Sequence, residues 1–328
     1  MIVRSAPTPL RVAVVGVGNM GQNHARVLSS LSGAELVAVL DPDAERARAV
    51  TATYGGRVFG HPEDLLGKVD AVTICTPSIN HAEIGQFFLD NGIHCLIEKP
   101  LATTEADCLS LIEAAERQGL VLLVGHIERF NPAVRQLKEV LEGNRIFAIE
   151  ARRMSFTSSR IVDVDVVLDL MIHDIDIVLS LVGQMPDARV LAHGTRAPGS
   201  PSNDFVTALL PFPDGIVANI TASRVTQSTL RELHVSSEAG FMALNYRNQD
   251  LQIFRQQRDA EFTPRGNYRL DVSIERVLVR SIEPLVAELQ HFLQAVQQGN
   301  KPLVSGREAL EALRVAWAVQ SQLGNIGR

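Results

Sequence analysis

A chain of 328 residues with a hydrophobic share of 46% and a charged share of 21% has material for two packed cores and is not a disordered polymer. Its net charge of −6 and the lack of a long basic run argue against a nucleic-acid backbone or an anionic membrane surface as its main partner. No apolar stretch reaches the ~20 residues of a membrane span, and Met1–Leu10 lacks the charged start and apolar run of a secretory signal, so a cytoplasmic location is expected.

From Arg11 to Val124, short β-branched runs alternate with helical stretches. Val12–Val15, Leu36–Leu40, Ala71–Cys75, His94–Ile97 and Val121–Val124 are near-continuously apolar, as strands covered on both faces of a parallel sheet must be. Gly21–Leu31, Ala44–Tyr54, Ala82–Asn91 and Thr104–Gln118 carry helical spacing between them. The pattern predicts an α/β fold whose N-terminal domain, residues 1–125, is a Rossmann doubly wound parallel sheet.

Residues 126–328 read differently, as an α+β domain for substrate binding and oligomerisation. A helix is expected over Asn131–Leu141, a strand over Arg145–Phe156 and a helix over Asp163–Leu181. Alternating runs follow around Arg189–Gly194, Phe205–Leu210, Gly215–Ser223, Glu232–Ser236 and Phe241–Tyr246. Turn sequences such as Pro213-Asp214-Gly215 and Glu238-Ala239-Gly240 join neighbours, which predicts a mostly antiparallel sheet. Gln256–Asn267 reads as a polar loop, and helices near Pro284–Gln298 and Arg307–Leu323 close the chain.

The first strand runs into Gly16-Val17-Gly18-Asn19-Met20-Gly21. In such a loop the first glycine permits the tight turn, the second lets backbone approach a pyrophosphate and the third lets helix pack on strand, so Gly16, Gly18, Asn19, Met20 and Gly21 are candidate dinucleotide ligands. Asp41 stands 20 residues after Gly21, at the end of the second apolar run. Its carboxylate suits the adenosine ribose and repels a 2′-phosphate, which favours NAD over NADP; Asp41-Pro42-Asp43 is equally good capping sequence for the next helix. Thr76 and Pro77 follow the third run, where loops meet the cofactor. Cys75, Cys95 and Cys108 are an odd set without C-x-x-C spacing and are expected to be buried hydrophobes, with no metal.

Glu98-Lys99-Pro100 follows the fourth run and is placed at the same edge against the cofactor. There the Lys99 ammonium is positioned to hydrogen-bond a reacting hydroxyl and stabilise alkoxide character. Asp169 and His173, four apart on a predicted helix, share a face, so the carboxylate can orient the ring and raise its basicity as a proton acceptor. Asp176 falls near that face; Asp174 points elsewhere, as a structural cap or pair.

The fingerprint, Glu98-Lys99-Pro100 and Asp169-Leu170-Met171-Ile172-His173 together resemble the Gfo/Idh/MocA family of oxidoreductases over nearly the whole chain. The resemblance implies that Lys99 is catalytic and substrate-binding and that His173, with Asp169, is the acid/base. It also implies that the second domain's sheet pairs subunits as a homodimer or homotetramer. Val124–Pro132, with Arg129 and Asn131, and Thr221–Gln227, with Arg224, resemble the branch that uses NAD to oxidise the 3-hydroxyl of UDP-N-acetylglucosamine, whose ketone a partner aminotransferase can convert to an amine for lipid A or surface-glycan precursors.

A nucleotide-sugar needs cations for its diphosphate, and Arg152, Arg153 and Arg160 stand close in sequence before the His173 helix. They are candidates for that role, with a solvated surface as the plain alternative. Arg129, Asn131 and Arg224 serve the substrate or the domain interface equally well. Three other functions stay open: a dehydrogenase of free polyols such as inositol, a glycosidase that recycles NAD, and a non-catalytic NAD-responsive binding protein.

Overall fold

The β-branched runs of the N-terminal half have no polar alternation, so both faces of each must be covered. In the computed structural model, which describes residues 8–156, 165–187, 189–256, 261–262, 268–269 and 272–323, they form a six-stranded parallel sheet. Its strands are β1 (Leu10–Val15), β2 (Ala34–Leu40), β3 (Arg57–Phe59), β4 (Ala71–Ile74), β5 (His94–Glu98) and β6 (Leu122–Gly125), in the order β3-β2-β1-β4-β5-β6. Helices α1 (Asn19–Leu28), α2 (Ala44–Tyr54), α3 (His81–Asp90) and α4 (Glu105–Gln118) connect them. Strand order reverses between β1 and β4, the switch point at which such sheets open a crevice beyond their carboxyl ends. The edge strand β3 has three residues, none fully buried, too short to register as an apolar run.

The later residues build an eight-stranded sheet. After α5 (Pro132–Leu141) come β7 (Ile146–Met154), α6 (Ile172–Val182), β8 (Leu191–Thr195), β9 (Phe205–Pro211), β10 (Val217–Ser223), β11 (Leu230–Ser237), β12 (Gly240–Asn245) and β13 (Asp250–Gln256). A two-residue pair follows, β14 (Glu261–Phe262) with β15 (Tyr268–Arg269), and then β16 (Val272–Val277). The order is β16-β13-β12-β11-β7-β10-β9-β8, antiparallel throughout except where β7 and β10 run parallel. Alternation sets the two faces: Ala218, Ile220 and Ala222 of β10 are buried while Val217 and Asn219 are exposed. Helices α5 and α6 pack on the buried face. Phe241, Leu209, Leu191 and Ile274 are exposed, with Phe241 stacked near His234 and Phe254.

Two helices end the described chain, α7 (Pro284–Gln298) and α8 (Gly306–Gln322). Packing divides the molecule into two units: the first runs through Phe130 and takes up Glu283–Leu310, the second holds Asn131–Ile282 and the chain from Glu311. A division of the sequence at residue 125 leaves Glu283–Leu310 in the second domain, whereas α7 buries Leu285, Leu289, Phe292 and Leu293 against α1 and the turn Ile127–Phe130. The expected long helix over 163–181 is a π-helical turn, Val167–Met171, leading into α6; residues 157–164 lie outside the described chain. Among the described residues no helix is long and apolar enough to cross a membrane.

Candidate active site

In the first unit the glycine loop is shaped by steric demand. Gly16 has φ +83°, and a Cβ on it would stand 2.8 Å from the Thr76 nitrogen; one on Gly21 would stand 1.8 Å from the Gly16 carbonyl oxygen. Gly18, the N-cap of α1, has nothing within 4 Å of its Cβ position, so open space lies before the helix N-terminus. Asn19 and Met20 occupy the first turn, exposed and half-buried respectively. A pyrophosphate fits there, since unpaired first-turn N–H groups and the helix dipole favour an anion.

Asp41 is nearly buried and does two jobs at once. Its Oδ2 accepts from the Val17 nitrogen at 2.7 Å, bracing the glycine loop, and its Oδ1 accepts from Asp43 at 2.8 Å. The helix cap itself is Asp43, which accepts from Glu45 and Arg46 at 3.1 and 3.0 Å. Arg46 lies 3.8 Å from Asp41 on its exposed side.

The Glu98-Lys99-Pro100 turn leaves β5 at the same edge, with a cis bond before Pro100. Lys99 is half-buried. Glu98 Oε1 accepts from His24 Nε2 at 3.1 Å, and Gly125 leaves the room, since a Cβ there would lie 3.0 Å from the Glu98 carboxyl carbon. His81, at the start of α3, sets Nδ1 2.8 Å from the Pro100 carbonyl oxygen and Nε2 2.9 Å from that of Thr76. Thr76 is half-buried and Pro77 exposed beside it. Glu288 of α7 is wholly buried; desolvation, and then the nearby Glu98, push its pKa well above the usual carboxylate range. Burial and then Glu98 push the Cys75 thiol up, and burial does the same to Cys95, so both are poor nucleophiles.

In the second unit Asp165 opens the π turn by accepting from Val167 and Leu168 at 3.1 Å each, and α8 ties it down through Gln320 at 2.9 Å. Asp169 lies half-exposed in that turn, and His173 half-buried in the first turn of α6 with Nδ1 shielded from solvent. Such turns recur at functional sites.

The expected arginine cluster divides. Arg152 and Arg153 are adjacent on β7, and strand alternation sends them to opposite faces. Arg153 is 3% exposed and forks onto the fully buried Asp174 at 2.8 and 3.1 Å, its guanidinium 5.0 Å from the Tyr246 ring centre. Arg152 is exposed, 4.0 Å from Glu150, and Arg160 lies outside the described residues. Arg224 is buried against Ser202 at 3.0 Å and Asp204 at 3.4 Å. Arg129 bonds the Leu303 carbonyl at 3.4 Å and lies 3.8 Å from Glu308. Asn131 caps α5 and donates to the Tyr246 carbonyl at 3.0 Å. For Arg153, Arg224, Arg129 and Asn131 the observed partners are therefore structural, and Asp174 is the structural pair expected of it. His24, His81 and Glu288 escaped the sequence reading; for Glu288 the signal was its place in the apolar stripe Leu285, Leu289, Phe292.

Residues 10–126 match the oxidoreductase family's NAD-binding Rossmann fold, and residues 134–243 match the GFO/IDH/MocA C-terminal domain. The chain belongs to the Gfo/Idh/MocA oxidoreductase family. Among its Gfo/Idh/MocA relatives, UDP-N-acetylglucosamine 3-dehydrogenase of Acidithiobacillus ferrooxidans is 36% identical over 321 residues, covering 96% of this chain and 98% of its own. The solved structure of that enzyme matches with a TM-score of 0.87 at 32% identity, covering 96% and 98% of the two chains. Myo-inositol 2-dehydrogenase of Thermotoga maritima is 27% identical over 331 residues, 96% of each. An oxidoreductase of Agrobacterium radiobacter in complex with NAD+, L-tartaric acid and magnesium shares the fold, with a TM-score of 0.84 at 20% identity over 97% of each chain.

Proposed function

We propose that this Gfo/Idh/MocA oxidoreductase uses NAD to oxidise the 3-hydroxyl of UDP-N-acetylglucosamine to a ketone. The observation that carries the reading is the 36% identity to an enzyme of that name across almost the full length of both chains. When bound, the nicotinamide supplies the hydride acceptor. Gly16, Gly18 and Gly21 with the α1 N-terminus hold the diphosphate, and Asp41 takes the ribose hydroxyls while bracing the loop. Lys99 donates to the reacting oxygen and stabilises its alkoxide character; His173 takes the hydroxyl proton, with Asp169 orienting the ring. Of the arginines set against the substrate diphosphate, the exposed Arg152 remains a candidate, as does Arg160, which lies outside the described residues. The enzyme self-associates through the open face of the eight-stranded sheet, where Phe241, Leu209 and Ile274 are exposed. An aminotransferase takes up the ketone.

A free-polyol dehydrogenase is the second reading, favoured by the engagement of Arg153, Arg224 and Arg129 in protein contacts instead of a diphosphate. NADH absorbance and sugar mass, followed together over UDP-sugars and free polyols with a ketone trap, separate the two. Loss of two hydrogens from UDP-N-acetylglucosamine alone supports the proposal, and turnover confined to polyols refutes it. Sugar release without net NADH points to a glycosidase, and silence across the panel to a binding protein. Lys99→Met and His173→Asn each lower turnover by roughly 100-fold or more with NAD still bound; near-normal turnover in either rejects that residue's role.

A further inference from the structure

Lys99 is a flexible side chain on a turn, and its usefulness depends on how firmly the backbone on either side is held. Two wholly buried histidines hold it. His24, from α1, donates through Nε2 to the carboxylate of Glu98, the residue before Lys99. His81, 1% exposed at the start of α3, reaches the carbonyl of Pro100, the residue after it, through Nδ1. The second nitrogen of His81 reaches the Thr76 carbonyl, in the loop beyond β4 that borders the glycine loop. One ring thus spans the two loops at the carboxyl edge of the sheet. A carbonyl only accepts, so a neutral ring donates to one of them at a time and the imidazolium to both.

We propose that His81 and His24 are positioning residues, with His81 setting Lys99 through Pro100 and the cofactor loop through Thr76. The proposal rests on the role given above to Lys99. Its two halves separate because the amides of asparagine and glutamine reproduce different ring nitrogens. In His81→Asn the amide can donate only toward Pro100 and never toward Thr76; in His81→Gln the reverse holds. The expected result is a split: His81→Gln lowers kcat up to about tenfold with NAD affinity near wild type, and His81→Asn weakens NAD binding up to about tenfold with kcat near wild type, because the single donor that the neutral ring shares between the two carbonyls is confined to one of them. His24→Gln, which keeps an Nε2 donor for Glu98, retains kcat, whereas His24→Asn loses about tenfold.

Steady-state kinetics, NAD titration by calorimetry and a melting curve for each full-length variant read these outcomes, and the His24 pair supplies the comparison if either His81 variant fails to fold. Equal losses in both members of each pair, or unchanged kcat in His81→Gln and His24→Asn, overturn the proposal. Lys99→Met keeps the two levels apart: an inactive Lys99→Met with no split rejects the positioning role alone, and an active one rejects the role of Lys99 and the proposal with it.

Discussion

Replacing Glu288 by glutamine removes a proton that the fold has to acquire. The side chain is wholly buried on α7, and neither oxygen has a hydrogen-bond partner among the described residues. Desolvation and the neighbouring Glu98 raise its pKa well above the ordinary 4.5. In the unfolded chain at neutral pH the same carboxyl is ionised, so folding takes up a proton. The uptake costs ~1.4 kcal/mol for each pH unit above 4.5, or about 3 kcal/mol at pH 7. Because the folded pKa is the higher one, the stability this group permits is complete below its unfolded pKa and lost as pH rises. Glu288→Gln keeps the shape without the titration. Urea unfolding of both proteins from pH 4.5 to 8 should give curves that meet at the acid end and diverge until the variant leads by about 3 kcal/mol near pH 7. A difference that does not change with pH, or a variant less stable throughout, would refute a neutral Glu288.

Arg153→Ala should cost about 3–5 kcal/mol in unfolding free energy by leaving Asp174 buried and unpaired, and removing Asp174 as well, as Arg153→Met with Asp174→Leu, should recover most of it. Gly21→Ala has no space for its Cβ and should yield unfolded protein, whereas Gly18→Ala meets open space and should fold while losing NAD affinity, which circular dichroism and calorimetry distinguish. His81 and His94 have pKa values lowered from 6.5, chiefly by burial, and His94 Nδ1 also accepts from the Val121 nitrogen at 2.9 Å. The unfolded rings bind protons first, so thermal stability should fall as pH drops from about 6.5 through the folded pKa values, and His94→Asn, whose Oδ1 can still accept, should flatten the fall.

The parallel sheet was legible because Val12–Val15 and its counterparts have no polar alternation, and the glycine loop because Gly16 and Gly21 answer separate steric demands while Gly18 keeps open space before the helix. What escaped depends on distance along the chain. β7 and β10 run parallel because the chain leaves and returns through α6 and a hairpin, and local turn sequences report only antiparallel neighbours. Arg152 and Arg153 seemed one cluster by proximity in sequence, although the strand expected there already implied opposite faces. His81 carries no periodic signal; its importance comes from carbonyls of Thr76 and Pro100 that only the fold brings to one ring.

The return of Glu283–Leu310 to the first unit fixes an order in time. The ribosome releases Phe130 about 150 residues before Glu283, a wait of roughly 8–30 s at ~5–20 residues per second. During that interval the nascent nucleotide-binding unit has its sheet but lacks α7, so the surface that Leu285, Leu289 and Phe292 will cover stands open to chaperones. The Rossmann unit is therefore expected to finish folding only after Glu283–Leu310 has been made, although its sheet is synthesised before the second unit.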